Sequence, residues 1–334
     1  ETIFGDTAVA VNPNDNRYKN LKNKKLIVPL VGREVPIVFD SSVEIDFGTG
    51  CLKVTPAHSE KDFLIGKNNE LEIIDIFNDD ATINHHGKKY QALDRFEAKK
   101  QIVNDLTEQG LISKTESYTH NIALSERTNS VVEPKLSLQW FIKMKKIAEP
   151  AINAVVSGDI KFYPKKYINT YKNWMENIRD WNISRQLYWG HRIPVYYLKN
   201  DNSKFVISKN VKDALVKFKS EFNIELTVDD VEQDNDVLDT WFSSWLWPIS
   251  VFDGIRNPSN DDIGYYYPTS DIVTGPDILF FWIARMIMSG YYFRDNKPFN
   301  NVYFTGLVRD KKGQKMSKQL GNSPDPIELI KNYG

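Results

Sequence analysis

The sequence predicts an α/β fold class, with a parallel α/β sheet toward the C-terminal end and a β-rich (α+β) module before it. Three observations carry that prediction. From residue 1 to about residue 80, short apolar runs are punctuated by glycine turns, the pattern of strands joined by tight connections. Toward the other end, strand-like runs at Asp271–Thr274 and Asn301–Gly306 flank one long apolar segment, the strand–helix–strand alternation that a parallel sheet requires. That segment is bracketed by Pro276, suited to a first helical position, and by Gly290, suited to a helix end.

Taken in order, Lys25–Val31 and Val35–Phe39 read as strands around a Gly32-Arg33-Glu34 turn, and Val43–Phe47 and Cys51–Thr55 as strands around Gly48-Thr49-Gly50. An amphipathic helix follows from about Asp94 to Gln109, with Phe96, Ile102, Val103 and Leu106 on one face and Gly110 at the cap. The chain then passes through Glu133–Phe141 to a helical stretch at Tyr167–Ile178 and a strand at Ile193–Leu198. Residues 199–235 are polar and charged with one helical pattern at Val211–Phe218, which reads as a variable peripheral insertion. Domain boundaries are accordingly expected at 1–117 and 118–334.

At 334 residues, 41% hydrophobic and 13% aromatic, the chain can bury cores for two domains and is not a disordered protein. A formal net charge of −1 excludes a global nucleic-acid signature. RNA contact would have to come from local clusters such as Lys19, Lys22, Lys24 and Lys25, or Lys143, Lys145 and Lys146, each of which also fits a solvated face. The lone Cys51 excludes an internal disulfide framework and a multi-cysteine zinc site, and points to a cytoplasmic location. The most apolar stretch, Ile278–Met288, is too short to span a bilayer and holds Arg285, so it reads as a buried helix. The first residue is Glu1 and the last lie in a helical pattern, Asp325–Tyr333, which leads to the expectation of a piece of a longer protein.

The most informative run is Lys315-Met316-Ser317-Lys318-Gln319, followed by Leu320-Gly321-Asn322. Two lysines flank a Met-Ser pair beside Gly313, and each ammonium is a rotatable point charge suited to phosphate oxygens. Alone, this also fits a solvated basic turn. It follows, in order, Trp181–His191, Asp236–Ser244 and Gly275–Trp282, while Glu1–Pro13 and Gly48–Asp62 mark the N-terminal module. Together these runs resemble the class I aminoacyl-tRNA synthetases, most closely the valine-specific members.

The resemblance implies the second half of a Rossmann-type nucleotide fold plus a β-rich editing domain. It further implies ATP-dependent activation of valine, transfer to tRNA(Val), and hydrolytic editing of threonyl-tRNA. Partners would be tRNA(Val), valine and ATP with Mg, with no tightly bound metal, no membrane and a monomeric full-length enzyme. Lys318 and Lys315 would be catalytic, and ATP would be bound by these two with Ser317, Gly275 and Asp277. Trp189, Trp241 and Asp239 would form the valine pocket, Asp239 holding the substrate ammonium. In the editing module, Asp62 would hold the ammonium, while Thr2, Lys53 and Thr55 would bind the substrate hydroxyl, the ester or the terminal adenosine. His58 reads as a structural histidine rather than a general base. The family's His-Ile-Gly-His run is absent from this chain, Gln319 replaces the usual serine, and Ser59 stands where aspartate is common. The piece is therefore expected to lack half of the ATP site and to be inactive in aminoacylation by itself. A free-standing deacylase of mischarged tRNA and a noncatalytic tRNA-binding remnant are the alternatives.

Overall fold

A computed structural model describes residues 1–125, 128–317 and 320–334. The chain divides into two compact units, Glu1–Leu138 and Gln139–Gly334. In the first unit, strands β1 (Ala8–Val11), β2 (Lys25–Val28), β3 (Arg33–Phe39) and β4 (Cys51–Val54) form a sheet in the order β2-β3-β1-β4. β2 and β3 make the predicted antiparallel hairpin, with Leu26 opposite Val35, and β3 runs parallel to β1. β4 lies antiparallel to β1, placing Lys53 opposite Val9. Helices α1 (Glu60–Asn68) and α2 (Arg95–Glu108) complete the unit.

Two expectations in this unit are corrected. Val43–Phe47 is a series of turns and not a strand. Its carbonyls are taken by side chains: Asn12 Nδ2 donates to Val43 O at 2.7 Å and Arg17 Nη2 to Ile45 O at 2.7 Å, which leaves no ladder to form. On α2, Asp94 and Gly110 bracket the helix as expected, Gly110 at φ +68°. Its inward face, however, is Ala98 and Ile102 with Leu106, one helical turn apart, while Phe96 and Val103 are exposed.

The second unit contains β5 (Phe141–Ile142), α3 (Lys145–Val156), β6 (Lys161–Tyr163), α4 (Tyr167–Glu176), β7 (Trp181–Asn182), β8 (Ser184–Arg185) and β9 (Val195–Leu198). Next come β10 (Asp201–Ile207), α5 (Val211–Phe222), β11 (Val231–Gln233), β12 (Val237–Leu238), α6 (Thr240–Ser244), α7 (Trp247–Ser250) and α8 (Asp261–Tyr266). β13 (Thr269–Thr274), α9 (Ala284–Arg294), β14 (Phe299–Phe304) and α10 (Pro326–Tyr333) finish it. The expected parallel sheet is present as β13-β14-β6, with Ile272 beside Val302 and Val302 beside Phe162. Helices α3, α4 and α9 and the turn before α9 pack on it through Phe162, Tyr171, Ile283, Ile287 and Val302, all at 1% exposure or less. Each such side chain contributes roughly 1.5–3 kcal/mol on burial. Residues 199–235 pair with β9 on both edges and bury Ala214 and Phe218 under α5, an ordered three-stranded module that their polar composition conceals.

The helix after Pro276 differs from expectation. It begins as a 3₁₀ turn (Pro276–Ile278), widens to a π turn (Leu279–Ile283) and ends only at Asp295, which takes the left-handed conformation at φ +50°. Gly290 is inside it, because a Cβ there would lie 2.7 Å from Tyr267 Oη, 2.8 Å from Asn296 O and 2.9 Å from Pro298 Cδ. Gly290→Ala therefore sets overpacking of about 1–3 kcal/mol against a helix-propensity gain of about 1 kcal/mol. We expect a net loss. All eight tryptophans lie in the second unit, so denaturation followed by tryptophan fluorescence reads it directly. The Gly290→Ala midpoint should fall, and a midpoint that holds or rises would show that the contact is slack.

Candidate functional site

The parallel strands β13 and β14 end side by side, Thr305 N–H donating to Thr274 O at 2.9 Å, and the chain leaves β13 through Gly275-Pro276-Asp277. This is the edge where open α/β sheets bind ligands. Gly275 is required locally, since a Cβ would sit 2.5 Å from Asp277 Oδ1. Lys315 reaches across from the loop after β14 and its ammonium donates to the Asp277 carboxylate. Two residues singled out for the nucleotide are thus brought together.

The loop carrying Lys315 is organised by residues that sequence reasoning missed. Asp310 accepts from the backbone N–H groups of Lys312 (2.9 Å) and Gln314 (2.8 Å) and from Asn322 Nδ2 (2.8 Å). These bonds, Asn322's foremost, hold the Asp310 carboxyl below the usual carboxylate range. Asn322 Oδ1 accepts the Ser317 N–H at 2.9 Å, and Ser317 Oγ accepts the Leu320 N–H at 3.2 Å. The signal was legible: Asp310-Lys311-Lys312-Gly313 carries Asp at the first and Gly at the fourth position of a turn, and Gly313 N–H closes on Asp310 O at 2.9 Å. Lys318 and Gln319 lie outside the described residues.

The candidate amino-acid pocket is more dispersed. Asp239 is 6% exposed and caps α6 by accepting the Trp241 N–H at 3.2 Å. Its Oδ2 accepts from Trp181 Nε1 at 2.9 Å and from Arg185 Nη2 at 2.9 Å, with Arg285 Nη1 3.7 Å away. The carboxylate expected to hold a substrate ammonium is thus surrounded by protein donors. Trp241 is half-buried with its ring near-parallel to that of Phe281, and Trp189 is 89% exposed. Arg185, Trp181 and Arg285 were not nominated from the sequence.

In the first unit the candidate editing residues converge. Lys53 Nζ donates to Thr2 Oγ1 (2.9 Å), Thr55 Oγ1 (2.8 Å) and Asp6 Oδ1 (3.1 Å). Thr55, just past β4, is 2% exposed and donates its hydroxyl to Asp6 Oδ1 at 2.5 Å, so it does not simply face solvent beside Lys53. Asp6 is the residue that sequence reasoning missed. It is 5% exposed; burial pushes its carboxyl above the usual range, while Lys53 and Thr55 pull it back. Asp62 does not cap α1, because Ser59 does; its Oδ2 accepts the Thr55 N–H at 2.9 Å. Its other oxygen makes no hydrogen bond among the described residues. His58 has both nitrogens occupied: Nε2 accepts the Ile76 N–H at 3.1 Å, so Nδ1 carries the proton and donates to Pro134 O at 3.2 Å. Burial holds its pKa below the ordinary value, as a neutral structural histidine requires.

Comparison with known proteins adds four findings. The valine–tRNA ligase of Bacteroides fragilis is 59% identical over all of this chain, which spans 38% of that protein. The valine–tRNA ligase of Clostridium tetani is 51% identical, again over all of this chain and 37% of that one. Among solved structures, methionyl-tRNA synthetase of Mycobacterium tuberculosis bound by methionyl-adenylate is 17% identical, covering 64% of this chain and 34% of its own, with a TM-score of 0.41, too loose a likeness to carry an argument. The chain therefore spans under two fifths of the length of the curated relatives it matches. No helix among the described residues is long and apolar enough to cross a membrane. Residues 50–334 match the family model for tRNA synthetases class I (I, L, M and V), and the chain belongs to that family.

Proposed function

We propose that this chain is the part of a valine–tRNA ligase that supplies one side of the ATP site and the proofreading site. The observation that carries the reading is the Lys315–Asp277 pair at the carboxyl ends of two parallel strands, in a chain 51–59% identical along its whole length to valine–tRNA ligases. In the reaction, the valine carboxylate attacks the α-phosphorus of ATP, which enters with magnesium as substrate, and pyrophosphate leaves. No protein nucleophile is needed, so the work is positioning and charge neutralisation. Asp277 accepts from a ribose hydroxyl. Occupancy of that carboxylate by ribose frees Lys315 to turn toward the phosphates, where Lys318 joins it. Trp189 and Trp241 wall the valine side chain, and Asp239 anchors the backbone at the start of α6, where Trp241 lies.

Proofreading is needed because threonine is nearly isosteric with valine and an apolar slot rejects the added hydroxyl only modestly, as is known of valine-specific synthetases. Asp62 offers its unpaired oxygen to the threonyl ammonium. Lys53, Thr55 and Thr2 form the polar wall that binds the substrate hydroxyl and ester, and Asp6 positions Lys53 and Thr55 from behind. The geometry makes Asp6 as important as the residues it holds, because its loss leaves a lysine and a buried hydroxyl without their shared acceptor.

Four variants test this reading in the full-length protein. Asp62→Ala should let threonyl-tRNA accumulate while valine activation stays nearly unchanged. Asp6→Asn should do the same if it positions Lys53, with the deacylation rate falling further than affinity for threonyl-tRNA. Clearance of mischarged tRNA at the wild-type rate by both variants would remove editing from this unit. For activation, Lys318→Ala should cost roughly 3 kcal/mol in adenylate formation, about a hundredfold, by analogy with losing one preorganised electrostatic contact. Lys315→Ala should also slow this step. Single-turnover adenylate formation at saturating ATP separates this from a solvated basic turn, for which both rates would change less than about twofold.

A further inference from the structure

A cavity of about 540 Å³ lies in the first unit beside Gly48 and Gly50, but a second, of about 420 Å³ in the second unit, carries more chemistry. Its wall includes Arg179, Arg185 and Arg285 together with the indoles of Trp174 and Trp181. None of the residues proposed for ATP, Gly275, Asp277, Lys315 or Ser317, is on this wall.

The charges on the wall do not balance. Arg285 is 8% exposed, its guanidinium carbon stacked 3.7 Å from the centroid of the Trp181 ring. Its Nε and Nη1 are buried without a hydrogen-bond partner, while Nη2 is not among the buried unpaired atoms. The nearest carboxylate, Asp239, is 3.7 Å away and already bonded to Arg185 at 2.9 Å, so one anion is shared by two guanidinium groups. Arg179 is exposed and makes no side-chain hydrogen bond among the described residues. The one carboxylate on the wall, Asp180, accepts the Met144 N–H at 3.1 Å. Burying a guanidinium without its hydrogen bonds costs several kcal/mol, and burial draws the Arg285 pKa down to about 10.

We propose that this cavity is a binding site for a phosphate ester, held by Arg179 and Arg285 with Arg185 behind, and separate from the ATP site. Guanidinium groups match phosphate oxygens in forked pairs, better than lysine would. A volume of about 420 Å³ lies in the range that holds a small ligand and is large enough for a mononucleotide or the end of a strand. Trp174 rests one face on Phe280, centroids 4.6 Å apart, which fixes it as an apolar wall for the organic part of the ester. The site stands whichever amino acid this unit activates. It also adjoins the synthetic residues, since Asp239 bonds both Trp181 and the first turn of α6, where Trp241 lies.

Isothermal titration calorimetry of the 334-residue chain with inorganic phosphate, adenosine 5′-monophosphate and a single-stranded RNA trinucleotide tests this. At least one probe should bind saturably, and Arg179→Ala should weaken it about tenfold or more, as expected for loss of a charge-assisted contact. Arg285→Met should abolish it with the tryptophan fluorescence of the fold retained, and Arg285→Lys should restore it only in part. Equal binding of phosphate and the monophosphate would show that the phosphate group alone is read; preference for the trinucleotide would identify a strand end as the source. Absence of saturable binding by all three probes would overturn the proposal. So would an affinity unmoved by Arg179→Ala, or one lost on Asp277→Ala, which would place the ligand at the ATP site.

Discussion

Asp239 is a carboxylate buried in an aromatic core, and the second unit is arranged around the need to satisfy it. Its two oxygens take the Trp181 indole N–H, the Arg185 guanidinium and the amide that starts α6, with Arg285 close behind. Those partners come from β7, β8, α6 and α9, so one charge ties four segments that are up to about a hundred residues apart in sequence. An isolated carboxylate in such surroundings would cost many kcal/mol, and removing one partner from a buried pair typically costs about 3–5 kcal/mol. The stack of Arg285 on Trp181, beside Trp245, follows from the same knot. It also anchors the backbone amide of Trp241, one of the two aromatic groups proposed for valine.

The first unit uses the same physics on a smaller scale. Asp6 comes from the turn that leads into β1, Lys53 and Thr55 from β4 and the residue just beyond it, and Asp62 from α1. The sheet brings these together because β1 and β4 are adjacent and antiparallel. Lys53 spends its three N–H donors on Thr2, Thr55 and Asp6, so its ammonium is fixed in place although its side chain is half-exposed. A ligand at this proposed site would exchange hydrogen bonds with a rigid group rather than order a mobile one, which would lower the entropic cost of binding.

The loop after β14 shows how a basic run becomes a device. Asp310 and Asn322 bond to the loop's own amides, and the Lys315 side chain extends from this ordered backbone to Asp277. In the proposed reaction, a stiff backbone carrying a charged side chain would suit phosphates whose charge grows as bonds break. Gly313 and the turn it closes set the geometry of the loop.

What the sequence determined by itself was whatever depends on neighbours a few residues away. The β2–β3 hairpin at Gly32, the helix starts at Asp94 and Asp325, the parallel pair β13 and β14, and the chemistry-bearing runs were all legible because turn, helix and strand preferences act locally. The non-strand at Val43–Phe47, the inward face of α2 and the true end of α9 were not, because each is settled by a distant partner: Asn12 and Arg17 in the first case, the packed residues of the first unit's core in the second, Tyr267, Asn296 and Pro298 in the third. The same division governs function. Sequence singled out Lys53, Thr55, Asp277, Lys315 and Asp239, but only the tertiary structure assigned Asp6 to Lys53, paired Lys315 with Asp277 38 residues away, and occupied Asp239 with protein donors. A carboxylate's role depends on which donors and cations burial places within about 3–4 Å of it, and that is a property of the folded chain rather than of any run of residues.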